Sequence, residues 1–393
     1  MVLGIRPDVI RASLIIKHLK SALGSDFEFV WSGQHYSDNM KDIFFRQLDV
    51  PQPDVTLQLD TASDQSMIGS LITSLGSYLD EAKPDAVVFL GDTNTVTGSI
   101  AVAAKNIPIV HIEGCMRSYD WRMPEEKFRT AIDHLADVIY AYVDEYKQQG
   151  VIEGLDPDNI IVTGNPIVDV LEHYFRSGKV RLSDSERSEL FASYGYEGGE
   201  LWSMTCHRRE NVDSKDSLSQ ILKLASMCPG IVVFPAGYRT QARLREFGLD
   251  IPGNVKVIDP IGYAELMELI NSSTAVLTDS GTIVEEAAVL GVPSVQMRTS
   301  TERPQVYDCG GSVKFDPHAT HTDAELGNII ASAADRRGTS WTHTLGDGNA
   351  SQRIAEDLIS RFKSGNWSGH APNPKTRPIE RNYGYGIGEL GRA

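Results

Sequence analysis

Short runs of consecutive apolar residues alternate along this chain with longer segments whose apolar positions recur every three to four residues. The runs are Phe27–Trp31, Ala86–Leu90, Ile107–Ile112, Val138–Ala141, Ile160–Thr163, Leu201–Thr205, Ile231–Pro235, Val255–Ile258, Ala275–Leu277 and Ser294–Met297, preceded by a very short one ahead of Gly4. Runs without polar alternation predict strands buried on both faces, as in parallel sheets covered by helices. A helical period is clear over Val9–Leu23 and Ser66–Glu81, and it returns over Ala350–Lys363. The charged stretch 177–199 carries little strand signal and predicts one short helix. Alternation of the two patterns predicts an α/β fold. So many strands are unusual in one sheet, so two doubly wound halves are expected. They cover residues 1–165 and 166–349, with a helix over 350–363 crossing back and a Gly/Pro-rich tail over 364–393.

Composition narrows the function classes. The 393 residues are 41% hydrophobic and 23% charged, as in ordinary globular proteins. The formal net charge of −16 argues against nucleic acid or an anionic membrane surface as a partner. No apolar stretch approaches the ~20 residues that span a bilayer. Four scattered cysteines, Cys115, Cys206, Cys228 and Cys309, form no CxxC pair, and the start is not signal-like. They read as reduced thiols of a cytoplasmic protein. Two Asn-x-Ser matches, at Asn271 and Asn366, carry little weight without a secretory signal. Gly386-Ile-Gly388-Glu-Leu-Gly391 is a literal GxGxxG, but no strand precedes it and no helix can follow, so it is a decoy. No Walker pattern is present. Neither a metal nor a dissociable dinucleotide is expected.

Candidate chemistry gathers after the strands, where ligands of open α/β sheets bind. There stand Gly4-Ile-Arg6-Pro-Asp8, Ser32-Gly33-Gln34-His35, Gly91-Asp92-Thr93-Asn94-Thr95, and Glu113-Gly-Cys-Met-Arg117 followed by Pro124-Glu125-Glu126. The second half adds Thr205-Cys206-His207-Arg208-Arg209-Glu210-Asn211, Asp279-Ser280-Gly281-Thr282, and Arg298-Thr-Ser-Thr301-Glu302-Arg303-Pro304. Singly, most have plain structural readings. Gly91-Asp92-Thr93 fits a capped turn, Pro124-Glu125-Glu126 is a good helix start, and a lone histidine is usually structural. Convergence at one end of successive strands favours a site. Arg6, Arg117, Arg208, Arg209, Arg298 and Arg303 concentrate there within an acidic protein. A diphosphate suits such a cleft, held by charge-assisted bonds and helix N-termini. Asp92, Glu113, Glu125 and Glu286 then need other work: hydroxyl recognition or proton transfer.

The stretches GIRPD, SGQH, GDTNT, HIEGCMRSYDWRMPEEKFR, TGNPIVD, TCHRREN, DSGTIVEE and RTSTERP run in order from residue 4 to about 304. Together they resemble the non-hydrolysing UDP-N-acetylglucosamine 2-epimerases. The resemblance implies two Rossmann-like domains facing a cleft (a GT-B-like architecture), no bound cofactor, and usually a homodimer. It implies C2 epimerisation of a UDP-N-acetylhexosamine by elimination of UDP, through a bound 2-acetamidoglucal, and re-addition. By the same resemblance Asp92, Glu113, Glu125 and His207 are the catalytic candidates, with His207 aiding departure of UDP. Arg6, Arg117, Arg208, Ser280 and Gly281 are expected at the diphosphate, Glu286 at the ribose and Tyr263 near the uracil. Arg298 and the loop to Arg303 should close over the sugar. Gln34 and His35 fall where some relatives hold a second UDP-sugar as activator. Glu285, about 100° round the helix from Glu286, is expected to be structural.

The chain departs from the family pattern at Arg11 (usually lysine), Gly114-Cys115-Met116, Thr282, Gln305 and the Pro235-Ala-Gly-Tyr-Arg239 run. These leave the choice of UDP-HexNAc open, including sugars with a 3-acetamido or uronic group. A hydrolysing epimerase, a GT-B glycosyltransferase and a non-catalytic UDP-sugar-binding protein stand as alternatives.

Overall fold

The computed structural model of this protein describes residues 1–33, 45 and 47–367. Seven strands form the first sheet: β1 (Val2–Leu3), β2 (Val30–Trp31), β3 (Val55–Thr56), β4 (Val87–Leu90), β5 (Ile109–Ile112), β6 (Val138–Ala141) and β7 (Ile160–Val162). Six form the second: β8 (Leu201–Thr205), β9 (Ile231–Pro235), β10 (Val255–Ile258), β11 (Val276–Thr278), β12 (Ser294–Met297) and β13 (Ser312–Phe315). The orders are 3-2-1-4-5-6-7 and 10-9-8-11-12-13, with every pairing parallel. Each sheet is therefore a Rossmann-type doubly wound sheet. Strand order reverses between β1 and β4 in the first and between β8 and β11 in the second, which opens a crevice at each carboxyl edge. Gln34, His35 and the tail beyond residue 367 lie outside the described residues.

Two strands escape the apolar-run pattern. The strand β3 is only two residues long, and β13, Ser-Val-Lys-Phe, buries its two ends and leaves its middle open at a sheet edge. An edge strand half-open to water needs no continuous apolar run. The first helix extends over Arg6–Leu23 and the stretch 177–199 does contain one short helix, Asp184–Ser193.

The two sheets share an apolar junction. Ile15 and Ile16 of helix Arg6–Leu23, Met267 of helix Tyr263–Ser272, Ala287 of helix Gly281–Leu290 and Leu358 of helix Ala350–Ser364 belong to one buried cluster. Helix Ala350–Ser364 thus follows the second sheet in sequence and packs on the first helix of the chain. Burying each such aliphatic side chain contributes about 1.5–3 kcal/mol. Its start is fixed by Asp169, whose buried carboxylate accepts the amides of Ala350 and Ser351. Its middle is held by the Tyr140 hydroxyl donating to Asp357 at 2.6 Å, and Gly365 ends it in the left-handed conformation at φ 66°.

Asp169→Ala should lower stability by about 2 kcal/mol, because it removes a cap and strands two buried amides. Thermal unfolding measures this, and an unchanged midpoint would mean that the helix start is held some other way.

Candidate active site

At the carboxyl edge of the first sheet, Gly91 turns the chain after β4 at φ 83° and presents Asp92. On the adjacent strand, β5 is followed at once by Glu113, itself at φ 75°. The two loops are tied together by His111, whose ring lies 2.8 Å from the Gly91 carbonyl at Nε2 and 2.7 Å from Asp133 at Nδ1. Gly114 is required by packing, since a Cβ there would lie 2.2 Å from Ile139 and 2.8 Å from Asp133. Helix Pro124–Leu135 supplies the third acid. Proline at its first turn and two glutamates complement the helix N-terminus, as its sequence predicts. The two glutamates divide the work. Glu126 is buried and accepts from the Ser118 and Tyr119 amides, which folds the 118–123 loop. Glu125 is half-buried and lies near Arg209, whose proton affinity is raised first by its bond to Asp64 and to a lesser degree by the charge of Glu125.

In the second sheet, β8 runs into Cys206-His207-Arg208 beside β11, which runs into Asp279. Asp279 is fully buried and accepts from the His207 amide at 3.0 Å, the Arg208 amide at 2.9 Å and the Asn211 side chain at 3.1 Å. Ser280 caps helix Gly281–Leu290 by accepting from Ile283, while its own amide goes to the Thr278 hydroxyl. The amides of Gly281 and Thr282 are then the unpaired donors at the helix start. Arg303 closes against this end so tightly that a Cβ on Gly281 would lie 2.4 Å from its guanidinium.

The two edges meet through ion pairs. Glu113 is clamped between Arg11 of the first sheet's leading helix and Arg303 of the second half, the latter at 2.7 Å. Arg303 also reaches Glu285 at 2.9 Å and contacts Glu302. Glu302 is 1% exposed and is met by Arg298 at 2.8 Å, Arg208 at 3.4 Å and Arg129 at 3.9 Å. Burial opposes its charge, but these guanidiniums together hold its carboxyl well below the usual range. Arg129 bridges from Glu302 to Asp92 and Glu126. Burial of Asp92 works against its ionisation, and Arg129 overcomes it, leaving the carboxyl below its ordinary value.

Elsewhere burial dominates. Glu286 is buried beside Glu285 and the Tyr263 hydroxyl, which makes no well-formed hydrogen bond, and desolvation pushes its carboxyl up to about 8. Asp8 is pushed up to about 7 by the same cause despite Arg11 at 2.8 Å.

Thus Asp92, Glu113, Glu125, His207, Arg208, Ser280, Gly281, Arg298 and Arg303 converge at the facing edges, and Arg6 opens the helix after β1. Glu286, in the second turn of helix Gly281–Leu290, forms a buried pair with Tyr263. Arg117 is a correction to the expectation of a diphosphate ligand. It is buried away from this junction, with its donors committed to Asp133 at 2.7 Å, Glu153 at 2.6 Å and the Met116 carbonyl at 2.7 Å. Arg129 was missed as a participant, although Glu126 and Arg129 stand one helical turn apart on helix Pro124–Leu135, and Glu302 was included only as part of the loop to Arg303, where it meets Arg298 across loop backbone. Glu285 is not inert filler, since it anchors Arg303. Among the described residues there is no cluster of three or more metal-ligating side chains, and no helix is long and apolar enough to cross a membrane.

The family model described as UDP-N-acetylglucosamine 2-epimerase matches residues 17–359. The chain is 32% identical over 367 residues to the UDP-N-acetylglucosamine 2-epimerase of Methanocaldococcus jannaschii, covering 91% of this chain and 98% of that one. It is 31% identical over 370 residues to the UDP-2,3-diacetamido-2,3-dideoxy-D-glucuronate 2-epimerase of Pseudomonas aeruginosa, again covering 91% and 98%. Among solved structures, the Methanocaldococcus jannaschii UDP-GlcNAc 2-epimerase in complex with UDP-GlcNAc and UDP gives a TM-score of 0.81 at 30% identity, over 91% of this chain and 98% of the other.

The buried acids set a pH dependence. Glu286 and Asp8 are raised in the folded state, from 4.5 and 3.8 to about 8 and about 7. Between those limits the folded state binds more protons than the unfolded one, so stability falls as pH rises. The thermal midpoint of the ligand-free protein should therefore decline from about pH 5 to pH 8. Glu286→Gln should flatten that decline, and an identical slope in the variant would refute the assignment.

Proposed function

This chain belongs to the UDP-N-acetylglucosamine 2-epimerase family, which makes it an isomerase, and from that premise we propose how its own residues perform the reaction. The substrate is a UDP-N-acetylhexosamine, UDP-GlcNAc in equilibrium with UDP-ManNAc, or a modified UDP-HexNAc of the kind named for the Pseudomonas aeruginosa relative. The observation that carries this reading is the clamp on Glu113, which joins the carboxylate edge of one sheet to the arginine edge of the other.

The C2 hydrogen of the sugar is not acidic, because no carbonyl neighbours that carbon. Elimination of UDP from C1 solves this: a base takes the C2 proton as the C1–O bond breaks, and the C1–C2 double bond of a 2-acetamidoglucal forms. UDP adds back as an acid delivers a proton to the opposite face of C2. Asp92, Glu113 and Glu125 supply the base, the acid and a counter-charge for positive character at C1. On substrate entry the diphosphate replaces carboxylates as the partner of Arg303 and Arg208, with Arg6 from the first helix. The Gly281 and Thr282 amides complete that anion site. His207 meets the departing UDP. Glu286 accepts from the ribose hydroxyls, and Tyr263 backs the uracil. The reaction needs no cofactor. We place the enzyme in the cytoplasm as a homodimer supplying sugars for surface polysaccharide, with a second UDP-sugar near Gln34 and His35 as activator.

Incubation with UDP-GlcNAc in deuterated water, followed by NMR, tests this reading. UDP-ManNAc carrying deuterium at C2 is expected. Free ManNAc with UDP would indicate the hydrolysing reaction instead, and sugar transfer to an acceptor without C2 exchange would sink the proposal. Glu113→Gln should lower kcat by at least ~100-fold with UDP affinity nearly unchanged. Glu286→Ala should do the reverse, weakening UDP binding roughly tenfold through a lost hydrogen bond. Equal loss of UDP affinity in both variants would contradict this division of roles.

A further inference from the structure

One buried carboxylate has no part in the scheme above. Asp279 is 0% exposed at the end of β11, and β11 is hydrogen-bonded to β8, the strand that delivers His207. Its two oxygens collect the His207 and Arg208 amides and the Asn211 side chain. Its carbonyl takes the Arg208 Nε at 3.1 Å. The loop after β8 is therefore wound around this one residue. The fourth contact concerns the imidazole: Nδ1 of His207 lies 3.3 Å from Asp279 Oδ1, while the His207 side chain is 57% exposed. An exposed side chain on this loop thus has Nδ1 within reach of the buried carboxylate.

We infer that Asp279 is a positioning residue that keeps a proton on Nδ1 of His207, so that the ring meets the leaving diphosphate through Nε2. The chemistry follows from the inventory of donors. A carboxylate accepts and does not donate, so Nδ1 must be the protonated nitrogen whenever the contact is made. A second proton at Nε2 then gives an imidazolium whose charge Asp279 balances on one side and the diphosphate on the other. The sheet geometry makes this arrangement rigid. Asp279 cannot move without releasing three other donors, of which the Asn211 side chain would be left unsatisfied in a buried place. This step rests on the reading of His207 given above, but the atom that carries the proton can be observed without any turnover.

The test is long-range hydrogen–nitrogen NMR on the full chain labelled with nitrogen-15 in histidine, with His207 assigned through His207→Gln. The neutral ring should carry its proton on Nδ1, and Asp279→Asn should shift it to Nε2. The same substitution should lower kcat tenfold or more, as loss of a histidine's second partner does, with KM within about threefold. A wild-type ring protonated at Nε2, or an Asp279→Asn enzyme with unchanged kcat, would overturn the inference. Should Asp279→Asn not fold, the wild-type spectrum decides alone. A wild type without epimerase activity would defeat the functional reading, while the spectrum still settles the proton's place.

Discussion

A carboxylate cannot be taken out of water between two domains unless cations go with it, and Glu302 imposes that constraint on this fold. Burying an isolated ion costs several kcal/mol even after relaxation, and breaking a buried pair costs about 3–5 kcal/mol. Glu302 is met by Arg298, Arg303, Arg208 and Arg129, three from its own half and one from helix Pro124–Leu135. Two of these arginines reach further acids of the cleft. Arg129 takes Asp92, Arg303 takes Glu113 and Glu285, and Arg11 closes the chain on the far side of Glu113. Asp92 and Glu113, two of the three carboxylates assigned to chemistry, are thus arranged by the same lattice of charge that joins the halves.

Such a lattice prepares a site for an anion. Guanidiniums already desolvated and oriented need little reorganisation to accept a diphosphate, which is the condition under which electrostatic stabilisation is largest. The diphosphate also repeats the charge and fork geometry of the carboxylates it displaces. In the proposed scheme, binding is then an exchange of partners. Asp92 and Glu113 would give up arginines as the nucleotide arrives and be left beside the sugar. The apolar cluster under helix Ala350–Ser364 keeps the halves in contact while this exchange takes place.

Sequence patterns reveal elements that bury both faces and motifs that stand at strand ends. That is why β6, β8, β9 and β12 match their apolar runs to the residue, while the short β3 and the edge strand β13 do not show; β10 matches its run although it is an edge strand with one buried residue. Partner choice among charges is less legible. Arg117 stands one turn of loop from Glu113 in sequence, yet Asp133 and Glu153 lie nearer in space and claim it. Glu125 and Glu126 are adjacent and chemically alike, and only the path of the 118–123 loop decides which becomes a backbone acceptor. Distances across the junction are set by residues ~190 apart in the chain, where spacing rules hold no information.

The family departures take on meaning in the same terms. Arg11 spans Asp8 and Glu113 with separate nitrogens, a fork that the point charge of a lysine would not reproduce. Thr282 sits in the first turn of helix Gly281–Leu290 and is not among the residues with positive φ, so the freedom of a second glycine is not needed there. Gln305 accepts from the Tyr146 hydroxyl at 2.8 Å, and that hydroxyl is also 3.0 Å from the Glu302 carbonyl. A glutamate at 305 would add a further buried acid to a junction whose arginines are already shared among Glu113, Glu285 and Glu302. A neutral side chain keeps the count of charges balanced. Arg11, Thr282 and Gln305 therefore fall where charge or conformation has an equivalent local solution, and the acids facing the cleft are retained.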